Sequence, residues 1–375
     1  MRLRVRESLL RGALRIIKRL DWRDTSAAAF DPAGVSSILL ISSTALGDTV
    51  ISTAAMNAVR ARYPDARIVA LIHRAYVKLF RNHPALDDVV TYRGGYRGFF
   101  GLVRILRWYR FDLALILHGN EPQATPLAYL SGARFIFKLP NANNFRFLLA
   151  NAEPIVGRAV FRHGMEHRLA TARLAGALTD GARMSLPRMP AMERYVAEWL
   201  GKGGATPGGA MPRIGFQSGA SSRARMWPEE YFADLARRVS LRHPGAVFVL
   251  LGSPDEAERC RHIAGLIGAS ARVAAGTLPI EALPSLVAAL DLVVSGDTGT
   301  LHVAVAMDVP TVGLFAVSDP AVSGAAYDPE RHTAIHRPYE RKVTTKSQDQ
   351  EGMCRIDVDT VERVVLARLA AGAGA

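Results

Sequence analysis

The sequence of 375 residues has only two cysteines, Cys260 and Cys354, which lie far apart in the chain. Without a CxxC pair or a neighbouring His/Cys cluster, neither a disulfide framework nor a thiolate metal site is indicated. The longest apolar runs are interrupted by Asp291, Asp308 or an arginine, so none reaches the about 20 residues that a membrane-spanning helix needs. These absences predict a soluble protein of a reducing cytoplasm, and its length allows two domains.

Acidic residues are also too few to balance the basic ones. There are 47 lysines and arginines against 34 aspartates and glutamates, a formal net charge of +13. Such an excess predicts a partner that is nucleic acid, an anionic lipid surface or a phosphorylated substrate. Aromatic residues make up only 7% of the chain and the arginines are dispersed, whereas nucleic-acid surfaces interleave clustered basic and aromatic side chains. The composition therefore disfavours a nucleic-acid binder.

The first twenty residues predict a basic amphipathic helix. Its apolar and basic side chains fall largely on different helical faces, with Leu9, Leu10, Ala13, Leu14, Ile17 and Leu20 on one and Arg11, Arg15, Lys18 and Arg19 on the other. The same basic residues interrupt what would be the apolar region of a secretory signal, which is therefore not indicated. Two interpretations stay open. The helix either lies on an anionic membrane surface or packs its apolar face on the body of the protein.

From residue 36 onward, apolar strands alternate with helices. This pattern predicts α/β architecture with parallel sheets that are covered on both faces. In the first half we expect strands at residues 38–41, 68–72, 89–92 and 113–117 and helices at about 48–62 and 99–109. In the second half we expect strands at 214–217, 247–251, 292–294 and 311–315 and helices at 228–242, 255–267, 283–290, 301–307 and 358–369.

Composition also divides the chain. Residues 1–35 form the basic N-terminal segment and 36–187 a first domain, whose last part, from residue 141, is predicted to be helical and basic. Glycines and prolines concentrate in residues 188–212, as expected of a linker. Residues 213–340 form a second domain, and 341–375 a tail that contains a helix.

A strand at residues 292–294 runs into a glycine-containing turn and then directly into a helix. The free N–H groups at such a helix start form an anion site. Asp297 and Thr298 are placed to cap these groups, and Gly299 lets a phosphate approach the backbone. His302, on the first helical turn, is placed to face a bound diphosphate. A capped turn without a ligand is the alternative.

Ligands of open parallel sheets bind beyond the carboxyl ends of the strands, so the loop after the first strand of each half is a candidate site. The first loop reads SSTALGDTV and has Gly47 and Asp48 at the entrance to the next helix. Asp48 is alternatively only a carboxylate that the helix dipole favours. The second loop reads SGASSRARMWPEEYF, in which Ser218 and Gly219 follow the strand and Arg225 precedes a helix.

Taken together, these motifs resemble glycosyltransferase family 9, the heptosyltransferase family of lipopolysaccharide core assembly. The resemblance rests on LGDTV with YPDARI, on FQSGA with MWPEEYF, and on SGDTGTLHVAVAMDVPTVGLF followed by SDP, and it spans about residues 38–320. It implies a GT-B fold, in which two Rossmann-like domains with parallel sheets face a cleft. It further implies an inverting transfer of heptose from ADP-heptose to a hydroxyl of a lipopolysaccharide core or related glycolipid.

The resemblance also implies roles for single residues. Inversion by direct displacement needs a base on the acceptor hydroxyl and stabilisation of the leaving diphosphate. Asp48 matches the proposed base, and Arg225 the residue that contacts the diphosphate. Glu256 matches the ribose ligand, with an exposed carboxylate at a helix start as its alternative, and Leu278 the adenine contact. The other expected contacts are Ser218, Gly219, Asp297, Thr298, Gly299 and His302 toward the donor and Gly47 toward the acceptor.

No metal or cofactor is expected, because Arg225 and the backbone N–H groups of the turn can stabilise a diphosphate. The expected partners are the nucleotide sugar and an anionic glycolipid, with peripheral contact to the cytoplasmic face of the inner membrane and no nucleic acid. Two alternatives stay open, since fold does not fix the reaction: transfer from another nucleotide sugar, and a sugar-nucleotide epimerase of GT-B fold. A dinucleotide oxidoreductase is disfavoured, because no GxGxxG follows either opening strand.

Overall fold

The structure is a computed structural model that describes residues 2–96, 98–119, 121–201, 211–340 and 347–372, with side chains from residue 7 onward. Contacts within the chain separate it into two compact units. These are the N-terminal unit, Met1–Ser185, and the C-terminal unit, Leu186–Ala375. Each unit is built on one parallel sheet.

The N-terminal unit has a five-stranded parallel sheet in the order β3-β2-β1-β4-β5. Its strands are β1 (Ser37–Ser42), β2 (Arg67–His73), β3 (Asp88–Tyr92), β4 (Leu113–His118) and β5 (Phe135–Lys138). The central strand β1 is buried along its whole length, which explains its continuous apolar sequence. Its register with β4 shifts after Ile41, and Ser42 pairs with His118 at the carboxyl ends of the two strands.

Helices cover both faces of this sheet. They are α1 (Arg2–Leu20), α2 (Leu46–Arg62), α3 (Val77–Phe80), α4 (Phe99–Trp108), α5 (Ala124–Leu130) and α6 (Gly164–Leu174). Helices α1, α4 and α5 share one hydrophobic cluster with Leu39 and Ile41 of β1. Ser42, the next residue on the strand, contacts Ser52 of α2 instead. Because successive strand residues point to opposite faces, α2 packs on the other face, where it also contacts α6.

Helix α1 is part of the N-terminal unit. Leu14 is only 1% exposed and belongs to the hydrophobic cluster, and Leu10 packs against it. The rest of the predicted apolar face is not packed on the unit, because Leu9, Ile17 and Leu20 are exposed. Leu10 and Leu14 are four residues apart and therefore lie on the same side of the helix. Among the described residues of α1, only this side packs against the hydrophobic cluster on the sheet.

The C-terminal unit has a six-stranded parallel sheet in the order β11-β10-β9-β6-β7-β8. Its strands are β6 (Arg213–Gln217), β7 (Val247–Leu251), β8 (Ala271–Val273), β9 (Leu292–Gly296), β10 (Thr311–Phe315) and β11 (His332–His336). Its helices are α7 (Pro190–Gly201), α8 (Glu229–Arg242), α9 (Ala257–Ile267), α10 (Leu283–Ala288), α11 (Gly299–Ala306), α12 (Pro320–Ser323), α13 (Glu351–Cys354) and α14 (Val358–Gly372). The last helix packs on α8, and Trp227 Nε1 donates to Ile356 O at 2.8 Å just before it.

Outside residues 141–212, the predicted strands and helices are present with small shifts at their ends. Helix α7 lies within residues 188–212, where a loop rich in glycine and proline was expected. The helix can form because Pro190 occupies its first turn, where proline is tolerated. Residues 141–187, all of them described, contain α6 as their α-helix, and short 3-10 turns and loops occupy much of the rest. The predicted helical character of this segment is therefore wrong for most of its length.

Some of the predicted segments lie outside the described residues, namely 202–210 of the expected linker and 341–346 and 373–375 of the tail. Across the described part of the chain, no helix has both the length and the apolar character needed to cross a bilayer.

Candidate active site

The candidate base Asp48 lies in the first turn of α2, directly beyond the carboxyl end of β1. Its Oδ1 accepts a hydrogen bond from Arg168 Nη2 at 2.7 Å and lies 3.3 Å from His118 Nε2. The side chain keeps 35% of its surface exposed. The carboxylate is therefore fixed from behind and remains accessible to a solute.

Arg168 of α6 is almost fully buried, with 1% of its side chain exposed. Its Nε donates to Ser52 Oγ at 3.0 Å, its Nη1 donates to Gly164 O, and the same nitrogen lies 3.2 Å from His167 Nε2. Burial lowers the pKa of Arg168 to about 10, so the guanidinium is still charged at neutral pH. Asp48 is thus the carboxylate partner of a buried cation.

His118, the last residue of β4, is the second partner of Asp48. Burial, reinforced by the charge of Arg168, lowers the pKa of His118 to about 4 although Asp48 opposes this shift. The imidazole is neutral at neutral pH. Its Nδ1 lies 2.6 Å from Thr44 Oγ1, so the arrangement fits a ring that accepts from the Thr44 hydroxyl and donates from Nε2 to Asp48.

A second buried cation lies at the end of the neighbouring strand. Lys138, the last residue of β5, donates from Nζ to Gly119 O at 3.0 Å, and burial lowers its pKa to about 8. Its charge and that of Arg158 also contribute to the lowered pKa of His118. The surroundings of Asp48 therefore carry more positive than negative charge, as a site for an anionic substrate would.

In the C-terminal unit, the turn between β9 and α11 differs from the expected capped turn. Thr298 is the N-cap residue but makes no cap hydrogen bond with its side chain, and its Oγ1 lies 2.9 Å from Ser295 Oγ. Asp297 Oδ2 lies 3.4 Å from Arg225 Nη1. The prediction that these two side chains cap the helix is wrong, because Thr298 contacts Ser295 and Asp297 contacts Arg225 instead. The backbone N–H groups at the start of α11 keep the geometry of an anion site.

Arg225 ends a 3-10 turn, Arg223–Arg225, in the loop after β6. The loop passes so close to β9 that a Cβ at Gly296 would lie 2.7 Å from Arg225 O. This close approach requires a residue without a side chain and explains the first glycine of the SGDTG motif. The structure thus brings Arg225 and the predicted anion-binding turn together.

Glu256 lies beside them at the start of α9. Its Oε2 accepts from Ser253 N at 2.7 Å in a capping box and lies 3.5 Å from Gln217 Nε2, while Thr300 Oγ1 donates to Gln217 Oε1 at 2.8 Å. A Cβ at Gly219 would lie 1.9 Å from Glu256 Oε1. The carboxylate therefore rests on the glycine backbone, and a hydrogen-bonded series joins it to α11. Glu256 does lie at a helix start, but it is half-buried and not exposed, and its role as a ribose ligand stays a prediction.

The known proteins that this chain resembles are heptosyltransferases. The model of glycosyltransferase family 9 (heptosyltransferase) matches residues 182–354. Lipopolysaccharide heptosyltransferase 2 of Salmonella typhimurium is 26% identical over 304 residues, which cover 76% of this chain and 83% of that protein. These matches support the assignment of the chain to glycosyltransferase family 9, as a heptosyltransferase-like member.

Solved structures agree on the fold of this glycosyltransferase. A family 9 glycosyltransferase from Veillonella parvula superposes with a TM-score of 0.75 at 21% identity, covering 90% of this chain and 97% of the other. The ADP-heptose lipopolysaccharide heptosyltransferase II of E. coli superposes with a TM-score of 0.72 at 22% identity, covering 89% and 99%. The two parallel sheets are therefore those of a GT-B fold, as expected.

The remaining residues that were predicted to contact a ligand differ in their exposure. Ser218 is 1% exposed; its hydroxyl lies 3.8 Å from Cys260 Sγ, and its backbone O accepts from Arg259 Nε at 3.1 Å. His302 is 4% exposed, which leaves little imidazole surface for a ligand. Leu278 is half-buried in the loop after β8, and Gly47 precedes Asp48 in α2. Their roles as ligand contacts stay predictions.

The sequence did not point to Arg168, His118 or Gln217, and it offered Lys138 only as one of many dispersed basic residues that could meet an anionic acceptor. His118 and Lys138 end strands that lie beside β1 in the sheet, so the rule of carboxyl-end sites could have found them once the strand order was known. Arg168 reaches Asp48 from a helix 120 residues later in the chain. No local pattern signals such a contact.

Within the described residues, one group has the donor atoms for a metal ion. Carboxylate oxygens of Asp308 and Asp328 and a ring nitrogen of His332 lie within 4.8 Å of one another. The group lies at the amino ends of β10 and β11, the opposite edge of the sheet from the turn before α11. Arg331 Nε already lies 3.4 Å from Asp308 Oδ1. This cluster is separate from the candidate active site.

Proposed function

We propose that this glycosyltransferase transfers a heptose, with inversion, from ADP-heptose to a hydroxyl of a lipopolysaccharide core or a related glycolipid. The observation that carries the proposal is the accessible carboxylate of Asp48, which a buried arginine and a neutral histidine hold at the carboxyl end of β1. The relatives support the choice of sugar, since they are lipopolysaccharide heptosyltransferases and one is described as acting with ADP-heptose.

Asp48 is proposed as the general base. Both of its contacts are made by Oδ1, so Oδ2 is the oxygen that accepts the proton of the acceptor hydroxyl. As that proton leaves, the acceptor oxygen forms its bond to the anomeric carbon from the face opposite the diphosphate, and the bond to ADP breaks. Arg168 stays charged throughout and keeps the carboxylate oriented.

The C-terminal unit is proposed to hold the donor. Arg225 and the backbone N–H groups at the start of α11 take up the charge that develops on the leaving diphosphate, with Gly299 allowing its close approach. Arg225 exchanges part of its contact with Asp297 for the stronger, charge-assisted contact with phosphate oxygens. Glu256 is proposed to accept hydrogen bonds from the ribose hydroxyls, and Leu278 to contact the adenine.

The proposed acceptor is an anionic glycolipid. The net charge of +13 and the positive surroundings of Asp48, where Arg168 and Lys138 are buried, support an acceptor that carries phosphates or acidic sugars. Such a lipid resides in a membrane, so we place the enzyme at the cytoplasmic face of the inner membrane in peripheral contact with it.

The test is Asp48→Asn, assayed with ADP-heptose and a lipopolysaccharide core acceptor by product mass and ADP release. The amide keeps the shape of the side chain but cannot take a proton, so we expect turnover to fall by about 10²- to 10⁴-fold while donor affinity is retained. Asp65→Asn, at an exposed carboxylate of the same unit, is the matched control.

Three results would contradict the proposal. Full turnover by Asp48→Asn would remove Asp48 as the base. An isomerised nucleotide sugar in place of a new glycoside would indicate an epimerase. Transfer from a different nucleotide sugar with a higher kcat/KM than from ADP-heptose would replace the donor but not the reaction.

A further inference from the structure

Exposed apolar side chains are concentrated in two short parts of the N-terminal unit. Eight of the sixteen large hydrophobic side chains that the described residues leave exposed lie in residues 7–22 and 99–108, which comprise most of α1, the residues that follow it, and α4. They include Leu9, Ile16 and Leu20 of α1 and Phe100 of α4, and the two tryptophans Trp22 (92% exposed) and Trp108 (70% exposed). We call the exposed side chains of these two segments the α1–α4 surface.

The two helices lie on the same side of the sheet. Leu14 of α1 and Phe99, Val103 and Leu106 of α4 belong to one hydrophobic cluster on one face of the β-sheet. Leu10 of α1 and Tyr96, just before α4, also pack against this cluster. Because both helices bury one side in this cluster, their exposed sides point away from the same face. The apolar residues of α1 and α4 therefore contribute to one surface.

The charges of this surface have one sign. The sequences of α1 and α4 together contain nine arginines and lysines and a single acidic residue, Glu7. Arg15, Arg19, Arg104 and Arg107 are exposed among the apolar side chains. Interfacial membrane-binding helices have this composition, with basic residues for anionic headgroups and with tryptophan at the level of the headgroups. The charge complementarity favours an anionic lipid bilayer over another copy of this basic chain.

We infer that the α1–α4 surface docks the protein on an anionic bilayer, with the apolar side chains at the headgroup level and the arginines on lipid phosphates. Each basic residue near such a surface contributes about 1 kcal/mol, so several together suffice for reversible attachment that salt weakens. Leu14 fixes α1 to the unit, so this is a rigid two-helix surface, not a flexible tether. The inference specifies the membrane contact of the proposed function and uses nothing of its chemistry.

The experiment uses the full-length protein without donor or acceptor. We expect it to sediment with vesicles of phosphatidylglycerol and phosphatidylcholine, to bind vesicles of phosphatidylcholine alone much more weakly, and to be released by salt. Brominated lipid should quench the tryptophan fluorescence, and Trp22→Phe and Trp108→Phe should each reduce the quenching. Trp227 is buried and Trp199 is half-buried, so the other two tryptophans carry the signal.

Two double variants test the contributions of the two helices separately. Phe100→Glu with Trp108→Glu on α4, and Leu20→Glu with Trp22→Glu at and just after the end of α1, should each lower the partition coefficient on anionic vesicles by about ten-fold or more, because both remove apolar contact and add repulsion. Leu241→Glu with Leu266→Glu, at exposed positions of α8 and α9, is the control with the same change of charge and should have a much smaller effect. Thermal melting reports whether each variant is folded.

The inference is overturned if the wild-type protein ignores anionic vesicles, or if the α4 pair binds them as well as the wild type does. It is also overturned if the same variants instead dissociate an oligomer that does not bind vesicles, which would make the surface a protein interface. Asp48→Asn should bind vesicles like the wild type, so failure of membrane docking and failure of the proposed transfer are distinguishable.

Discussion

At the residue scale, Asp48 and Arg168 form an ion pair whose two partners differ in exposure. Arg168 is fully buried and charged, whereas Asp48 is partly exposed. Water can therefore solvate Asp48 if its partner is removed but cannot reach Arg168. Loss of Asp48 thus leaves an uncompensated buried charge, and loss of Arg168 leaves a hydrated one. The same contact that orients the candidate base also neutralises a cation of the fold.

We therefore predict that Asp48→Ala lowers the free energy of unfolding by about 3–5 kcal/mol, and that Arg168→Met lowers it less. The double variant Asp48→Ala/Arg168→Met should be more stable than Asp48→Ala alone, because it removes the buried charge as well. Urea denaturation of the three variants checks this order. A double variant that is less stable than both single variants would show that packing around Arg168, not its charge, decides the stability.

Arg225 gives a second prediction at this scale. Arg225→Ala should weaken ADP binding by about 1.5–3 kcal/mol, which is the usual contribution of a hydrogen bond to a charged group. Calorimetric titration with ADP measures the change. Arg223→Ala is the control, because Arg223 belongs to the same turn but its Nε is directed to Gln350 Oε1 at 3.4 Å. Equal effects of the two substitutions would show that Arg225 has no special contact with the diphosphate.

At the element scale, α1 combines a packed stripe with an exposed one. Leu14→Ala should destabilise the protein by about 2–5 kcal/mol, because it opens a cavity in the core. Leu9→Ala, on the exposed side of the same helix, should change stability by less than about 0.5 kcal/mol. Chemical denaturation of both variants measures the difference. Equal, small effects would mean that α1 is not needed for the fold and that the whole helix is available for another surface.

Most strands of five or more residues were readable from the sequence, apart from β11, and very short ones were not. Strands β1 and β10 were predicted because buried parallel strands give unbroken apolar runs. Strand β8, with three residues, and β5, with four, are too short to show a period. Helix α7 was missed because nearby glycines and prolines dominate the composition of its segment. Local sequence thus predicts the central strands of each sheet and the edge strand β3, but not the edge strands β5, β8 and β11.

The candidate site shows the same limit. The rule that ligands bind at the carboxyl ends of parallel strands was sufficient to select Asp48, Arg225 and the turn before α11. It was not sufficient for Arg168 or for the contact between Gln217 and Thr300, since tertiary packing brings these residues together over 120 and 83 positions of the chain. A single sequence contains no local record of such contacts.

At the scale of the whole molecule, three histidines of the N-terminal unit, His83, His118 and His167, have lowered pKa values. Burial lowers the pKa of His83 and of His118 to about 4 and that of His167 to about 3, and positive neighbours add to the shift of the last two. His83 Nδ1 accepts from Ala85 N at 3.2 Å, a bond that protonation of this nitrogen would break. The fold therefore keeps these rings neutral at a pH where the unfolded chain protonates them.

These lowered histidine pKa values make the protein less stable as the pH falls. Below about pH 6.5 the unfolded chain binds protons that the folded chain does not, so the free energy of unfolding falls as the pH falls toward about 4. Each histidine contributes up to about 1.4 kcal/mol per pH unit in this window. We expect full stability above about pH 6.5 and progressive loss below it, and urea denaturation at pH 7, 6 and 5 measures the slope.

His83→Asn isolates one of the three contributions, since His83 lies away from Asp48 and its contacts. The variant should be less stable than the wild type at pH 7 but should lose stability with a shallower slope below pH 6.5. Hydrogen exchange at pH 5 should rise first in residues 36–185, where all three histidines lie. A free energy of unfolding that is constant from pH 7 to 5, or exchange that rises first in residues 213–340, would mean that these rings are already protonated in the fold or that other groups titrate against them.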